Sequence, residues 1–273
     1  MRAAIDAALL LKDSQAAHEW QGDTDRLAKR IIKRFWKPGV GFIHTLNHAG
    51  AAETPYASGY NEHYQKTYVE KVRLGPSGPS RHSNALAVFA GLATAPMKEV
   101  ILRSVFRNKS FPAINTAYFS YYEKSAWAEC GDPAGAILGL RDYLGQMLEN
   151  EDSATLWELY DPNIRDMRKY SVACLTNWIC PTSLCHGWGA GLVPIAARHL
   201  LGITPTRPGY RSITLQPLLE LPWSYRAVVP TPEGAITVER DDPKGPVRYS
   251  VPSAIKIDGM LAPSIVVSRS RRR

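Results

Sequence analysis

TLWELYDPNIRDMRKYSVACLTNWICPTSLCHGWGAG, residues 155–191, is the stretch on which the reading of the whole chain turns. It opens on Trp157-Glu158, an indole beside a carboxylate. It closes on Ser183-Leu184-Cys185-His186-Gly187-Trp188-Gly189. Between these ends there is little periodicity, and Pro162 and Pro181 interrupt what there is. Long irregular segments are uncommon in compact domains and tend to carry function. Indoles near a carboxylate and an imidazole suit carbohydrate, because a sugar ring offers an apolar face to the indole and hydroxyls to the polar groups. The plain alternative is that Trp157, Trp178 and Trp188 fill a core.

Upstream of this stretch the chain reads as helices in series. Residues 1–36 carry helical spacing, with a break at Gly22 and a second helix capped by Asp23 or Thr24. Leu27, Ile31 and Phe35, four apart, predict one buried stripe ended by Pro38 and Gly39. Residues 39–59 read as loop, with a short strand in GVGFIHTLN. RLGPSGPSRHS (73–83) is a second breaker cluster. Asn84 to Leu92 is apolar all round and predicts a buried helix. His82, Ser83 and Asn84 sit at its start, as substrate contacts or simply as a cap. Pro96 starts another helix. Tyr118, Tyr122 and Ala126 share a helical face, with the carboxylate of Glu123 beside it. Asp132-Pro133 opens a helix with Ile137, Leu140, Leu144, Met147 and Leu148 on its apolar side. A last helix spans Ala190 to Leu201.

After Pro205 the texture changes to proline-rich sequence with short alternating runs. Ser212–Leu215, Tyr225–Val229, Ala235–Arg240 and Val247–Val251 predict strands. PEG and DDPKGP are turn signals. The domain reading is therefore 1–205 helical hairpins, 206–262 a small antiparallel β-sandwich, and 263–273 a basic, disordered tail. With no βαβ alternation, the helices suit stacked hairpins.

Composition narrows the classes. The 273 residues are 45% hydrophobic and 21% charged, as in an ordinary globular protein. No run approaches the ~18–20 apolar residues of a membrane span. MRAAIDAALLLKDSQAAHEW reads as an amphipathic helix and not as a convincing signal peptide. The compartment is not fixed, and the reading leans to the cytoplasm. The net charge of +8 comes from 33 basic and 25 acidic residues. Arg269, Arg271, Arg272 and Arg273 supply half of it, so the basicity is a terminal run and not a nucleic-acid stripe. Cys130, Cys174, Cys180 and Cys185 lack the paired spacing of a zinc site and read as free thiols. A disulfide among the last three stays open. No metal or cofactor is expected.

LWELYDP (156–162) followed by SLCHGWGAG (183–191) resembles the C-terminal half of the catalytic domain of the α-L-rhamnosidases of glycoside hydrolase family 78, which are six-hairpin (α/α)6-toroid enzymes. RHSNALAVFAGLA (81–93), AYFSYYE (117–123) and LRDYLGQML (140–148) resemble that family's helices in the same order. RHLLGITPTRPGYRSITLQP (198–217) and VVPTPEGAITVE (228–239) resemble its exit into a small β-sandwich. The shared order spans about residues 1–250. The resemblance implies a mainly α chain carrying the later hairpins of a toroid, then the sandwich. It implies Glu158 as the general base of an inverting hydrolysis of α-L-rhamnosides. It implies His186 as a ligand of a rhamnose hydroxyl, with Trp188 and Trp157 as indole walls of the subsite. Inversion also needs a general acid, with the two carboxyl groups about 6.5–9.5 Å apart. In the family that acid lies on an earlier hairpin, in an Asp/Arg/Glu-rich segment. No such segment occurs here, since EWQGDTDR, with Glu19, Asp23 and Asp25, reads as a surface loop. The expected activity of this chain alone is very low. The expected partner is a rhamnose-containing glycoside, with neither nucleic acid nor membrane. A non-catalytic carbohydrate-binding remnant and a six-hairpin glycosidase of another sugar are the alternatives.

Overall fold

A computed structural model describes residues 1–43, 79–111, 114, 116–149, 155–158, 160 and 183–270. Trp178, Cys174 and Cys180 lie outside the described residues, as does most of the loop expected after Gly39. The described residues form two compact units. One runs to residue 111 and the other starts at Ile114, inside the span expected as one helical domain.

In the first unit, α1 (Arg2–Leu10) and α2 (Ser14–Phe35) form a hairpin. Asp13 caps α2 by accepting the Ala16 amide hydrogen at 3.0 Å. Ile5, Ala8 and Ala17 are buried together between the two helices. The expected break at Gly22 is absent. An interior glycine costs a helix only ~0.5–1 kcal/mol, which one of 22 residues absorbs. The expected buried stripe is also corrected. Leu27 is 48% exposed, and Ile31 and Phe35 are only partly covered.

Strands β1 (Trp36–Lys37) and β2 (Gly41–Phe42) then form a short hairpin. Helix α3 (Arg81–Phe89) packs against it. Ser80 caps α3 by accepting the Ser83 amide hydrogen at 3.0 Å. Asn84 is fully buried. Its side-chain oxygen accepts the Phe42 amide hydrogen at 2.8 Å, and its amide donates to the Phe42 and Ser80 carbonyls at 2.9 and 2.8 Å. Asn84 therefore ties β2 to α3 and offers nothing to a ligand. The expectation that α3 is buried is corrected, because Leu86 and Phe89 are exposed. Helix α4 (Ala95–Ile101) follows Thr94 and runs into a π-helical turn, Leu102–Phe106.

In the second unit, α5 (Ala117–Glu129) and α6 (Pro133–Leu148) form another hairpin. Thr116 caps α5. Asp132 caps α6 by accepting the Gly135 amide hydrogen, and it also accepts the Trp127 indole N–H, each at 2.9 Å. Ile137 and Leu140 of α6 pack with Ile195, Leu218 and Leu221. A short helix, α7 (Leu192–Ile195), continues as a π-helical turn to Leu200.

The β-region is two sheets. One has the order β3 (Ile203–Arg207), β4 (Ser212–Leu215), β8 (Lys256–Ile257). The other has the order β5 (Tyr225–Val229), β6 (Ile236–Arg240), β7 (Val247–Pro252), β9 (Ile265–Ser270). Ile203, Ile213, Leu215, Ile236, Val238, Val247, Tyr249 and Val251 meet in one core drawn from both sheets. The four strands read from alternation are present within a residue at each end. Two expectations are corrected. The sheets are mixed, because β4–β8 and β7–β9 pair in parallel. The segment read as a disordered tail supplies β9, whose alternate residues Ile265 and Val267 pack on the core while Arg269 donates to the Ile255 carbonyl at 2.6 Å.

His199, on the π-helical turn, lines a cavity of about 460 Å³ with Arg198, Thr204, Thr214 and Gln216. Burial, and then the Arg198 charge, push its pKa from 6.5 down to about 4. The unfolded chain therefore holds a proton there that the folded chain does not. Stability is expected to fall as pH drops from 6.5 to about 4, with His199 adding no further slope below that. Urea unfolding across that window checks this, and His199→Gln should flatten the slope.

Candidate functional site

Two short segments build the site. Residues 155–158 lie beside residues 183–186, held by backbone bonds from Glu158 N–H to the Ser183 carbonyl and from His186 N–H to the Leu156 carbonyl, both 2.8 Å. The Thr155 hydroxyl adds a bond to the Leu184 carbonyl. Trp157 turns inward, 2% exposed, among Ala117, Tyr143 and Met147, with its amide nitrogen donating to the Met147 sulfur at 3.0 Å. Glu158 turns outward with its side chain 31% exposed. Its carboxylate accepts the Ser183 amide hydrogen at 3.1 Å.

His186 Nδ1 stands 3.8 Å from Glu158 Oε2. That is beyond hydrogen-bond range, so a proton or a ligand hydroxyl is needed to join the two groups. A 3₁₀ turn, Gly187–Gly191, then places Trp188 against the imidazole, with ring centroids 4.1 Å apart. Gly189 is required for this approach, because a Cβ there would lie 2.7 Å from Leu156 Cβ. Trp188 is 38% exposed, and its ring also meets that of Tyr118 of α5, with centroids 5.3 Å apart and the rings tilted by 33°. The Tyr118 and Tyr122 hydroxyls are 3.2 Å apart. That bond, and then burial, push the Tyr122 pKa up, so this phenol stays a neutral donor.

The result is a continuous surface of one carboxylate, one imidazole, two partly exposed aromatic faces and two phenols. It can hold a hydroxyl between acceptor and imidazole while an apolar ring face rests on indole. The structure brings Glu158, His186 and Trp188 together. It does not bring Trp157's indole face to that surface. Its expected role as a subsite wall gives way to packing, which fixes the segment that presents Glu158. Tyr118 and Tyr122 were missed as site residues, since their spacing reads equally as a buried stripe. Two tyrosines one turn apart, both with hydroxyls to satisfy, were the available signal. Glu123 is not part of the surface. It is 2% exposed and ion-paired to Lys124 at 2.8 Å. Of the described thiols Cys130 is buried and Cys185, expected to be buried, is exposed.

No family model matches the sequence, and no curated protein matches it. Among solved structures, the GH78 family rhamnosidase of Bacillus sp. GL1 is similar, with a TM-score of 0.67 at 20% sequence identity. The match covers 99% of this chain and 26% of that one. This chain thus has the fold of about a quarter of that enzyme.

Proposed function

We propose that the Glu158–His186–Trp188 surface is the sugar site of a glycoside hydrolase of the α-L-rhamnosidase kind, carried on the later hairpins of a partial (α/α)6 toroid. The single observation that supports this most is the placement of a partly exposed carboxylate 3.8 Å from an imidazole whose ring lies 4.1 Å, at a tilt of 52°, from an exposed indole. In this reading Glu158 is the general base. It draws a proton from the water that attacks the anomeric carbon, while the glycosidic oxygen leaves from the opposite face and needs a proton of its own. His186 holds a ring hydroxyl, and Trp188 with Tyr118 covers the apolar face. This reading assigns no second carboxyl group as general acid, so it makes the chain a better binder of sugar than a catalyst. The same observation supports the second reading, a carbohydrate-binding remnant without turnover.

The test is calorimetric titration with L-rhamnose together with hydrolysis of an aryl α-L-rhamnoside. Rhamnose binding is expected, weakened about tenfold by Trp188→Ala, the loss of ~1.4 kcal/mol of stacking. Hydrolysis by this chain is expected to be close to background. Turnover abolished by Glu158→Gln would show that the chain supplies its own acid. Binding with no turnover under any condition would favour the second reading. No binding of rhamnose or of any other monosaccharide would remove both.

A further inference from the structure

The C-terminal half of α2 and the strand after it read RLAKRIIKRFWK, residues 26–37. Six of these residues are basic and none is acidic. At 3.6 residues per turn, Trp20, Leu27, Ile31 and Phe35 share one arc of α2, while Lys29, Arg30 and Lys33 lie on the other side. The basic side faces outward, and on the apolar arc Ile31 and Phe35 are partly covered. Leu27 and Trp20 are exposed, and Lys29, Arg30, Lys33 and Lys37 are exposed with no carboxylate partner among the described residues. Arg26 alone is neutralised, by Asp23. A helix held purely by solvation would not segregate its charge so completely.

We propose that this half of α2 lies in the surface of an anionic bilayer. The charge selects the partner: a row of unpaired ammonium and guanidinium groups beside an apolar arc complements acidic lipid headgroups above acyl chains. None of the described helices is long and apolar enough to cross a membrane. Lying in the interface needs no such span, so this surface is compatible with the lack of one in the sequence. Leu27, Trp20 and the aromatic ring of Phe35 enter the acyl boundary, and the long basic side chains reach back to the headgroups. Sugar binding by the second unit plays no part in this.

The test is co-sedimentation of the full chain with vesicles of phosphatidylcholine, alone and mixed with phosphatidylglycerol. Binding to the mixed vesicles only is expected, released by raising the salt. Lys29→Glu with Lys33→Glu should abolish it, and Leu27→Glu should weaken it about tenfold. All three positions are exposed, and circular dichroism checks that the variants stay folded. The proposal is overturned if mixed vesicles bind no better than phosphatidylcholine. It is equally overturned if the α2 variants bind like the parent, which would assign binding to the basic C-terminal residues. Binding of heparin and of vesicles alike, unchanged by Leu27→Glu, would mean an acidic partner held by charge alone and would overturn it too.

Discussion

Replacing Glu123 by alanine is expected to lower the unfolding free energy by about 3–5 kcal/mol. Glu123 and Lys124 are neighbours on α5, and both are buried. Their 2.8 Å contact leaves each charge with a partner in a medium that solvates it poorly. The Lys124 ammonium also lies 5.1 Å from the Trp127 ring centroid. It sits so close to α6 that a Cβ on Gly139 would be 3.3 Å away. Lysine thus fills the space that a glycine opens where α5 meets α6. Removing the carboxylate strands that ammonium. Removing both charges does not: Glu123→Leu with Lys124→Met should come within about 1 kcal/mol of the parent, because a buried pair contributes less than its parts cost when separated. Urea unfolding of the three proteins decides this. Equal destabilisation by the single and double variants would show that the site is limited by shape and not by charge.

The second large effect is expected at Gly202. Its φ is +67°, and a Cβ there would lie 2.0 Å from the carbonyl carbon of Gln216. The close approach is what joins the last helix to the first sheet: Gln216 N–H donates to the Gly202 carbonyl at 2.9 Å and Leu218 N–H to the Leu200 carbonyl at 3.0 Å. Gly202→Ala combines a left-handed backbone with a backbone clash and should cost about 3–5 kcal/mol. Gly209 is the control. Its φ is +70°, but nothing stands within 4 Å of the added carbon, so Gly209→Ala should cost only about 1 kcal/mol. Thermal unfolding of the pair separates clash from conformational strain.

The strands were legible because one face of each is dry, so alternation survives in the sequence. Ile236, Val238 and Arg240 all point inward, and the guanidinium of Arg240 is buried because the Leu221 carbonyl receives it at 3.0 Å. β9 was not legible, since its Ser-Arg-Ser end breaks the apolar alternation and its pairing with β7 comes only from tertiary structure. The α1–α2 boundary was misplaced because Gly22 punctuates more loudly than Asp13, although the aspartate carries the cap. At the site, Glu158, His186 and Trp188 were found together. Trp157 was given the wrong face because an indole beside a carboxylate reads equally as a sugar wall and as core. Tyr118 was placed on the right helical face but given no role, because helical spacing says which residues share a side, not what lies across from it.

The two short backbone rungs between 155–158 and 183–186 have a further implication. They hold Glu158 and His186 in register through backbone bonds that do not depend on which side chains lie between them in sequence. Closure entropy grows only with the logarithm of the length between two tied ends. Insertions between the two ends are therefore expected to leave that register intact at little cost in stability.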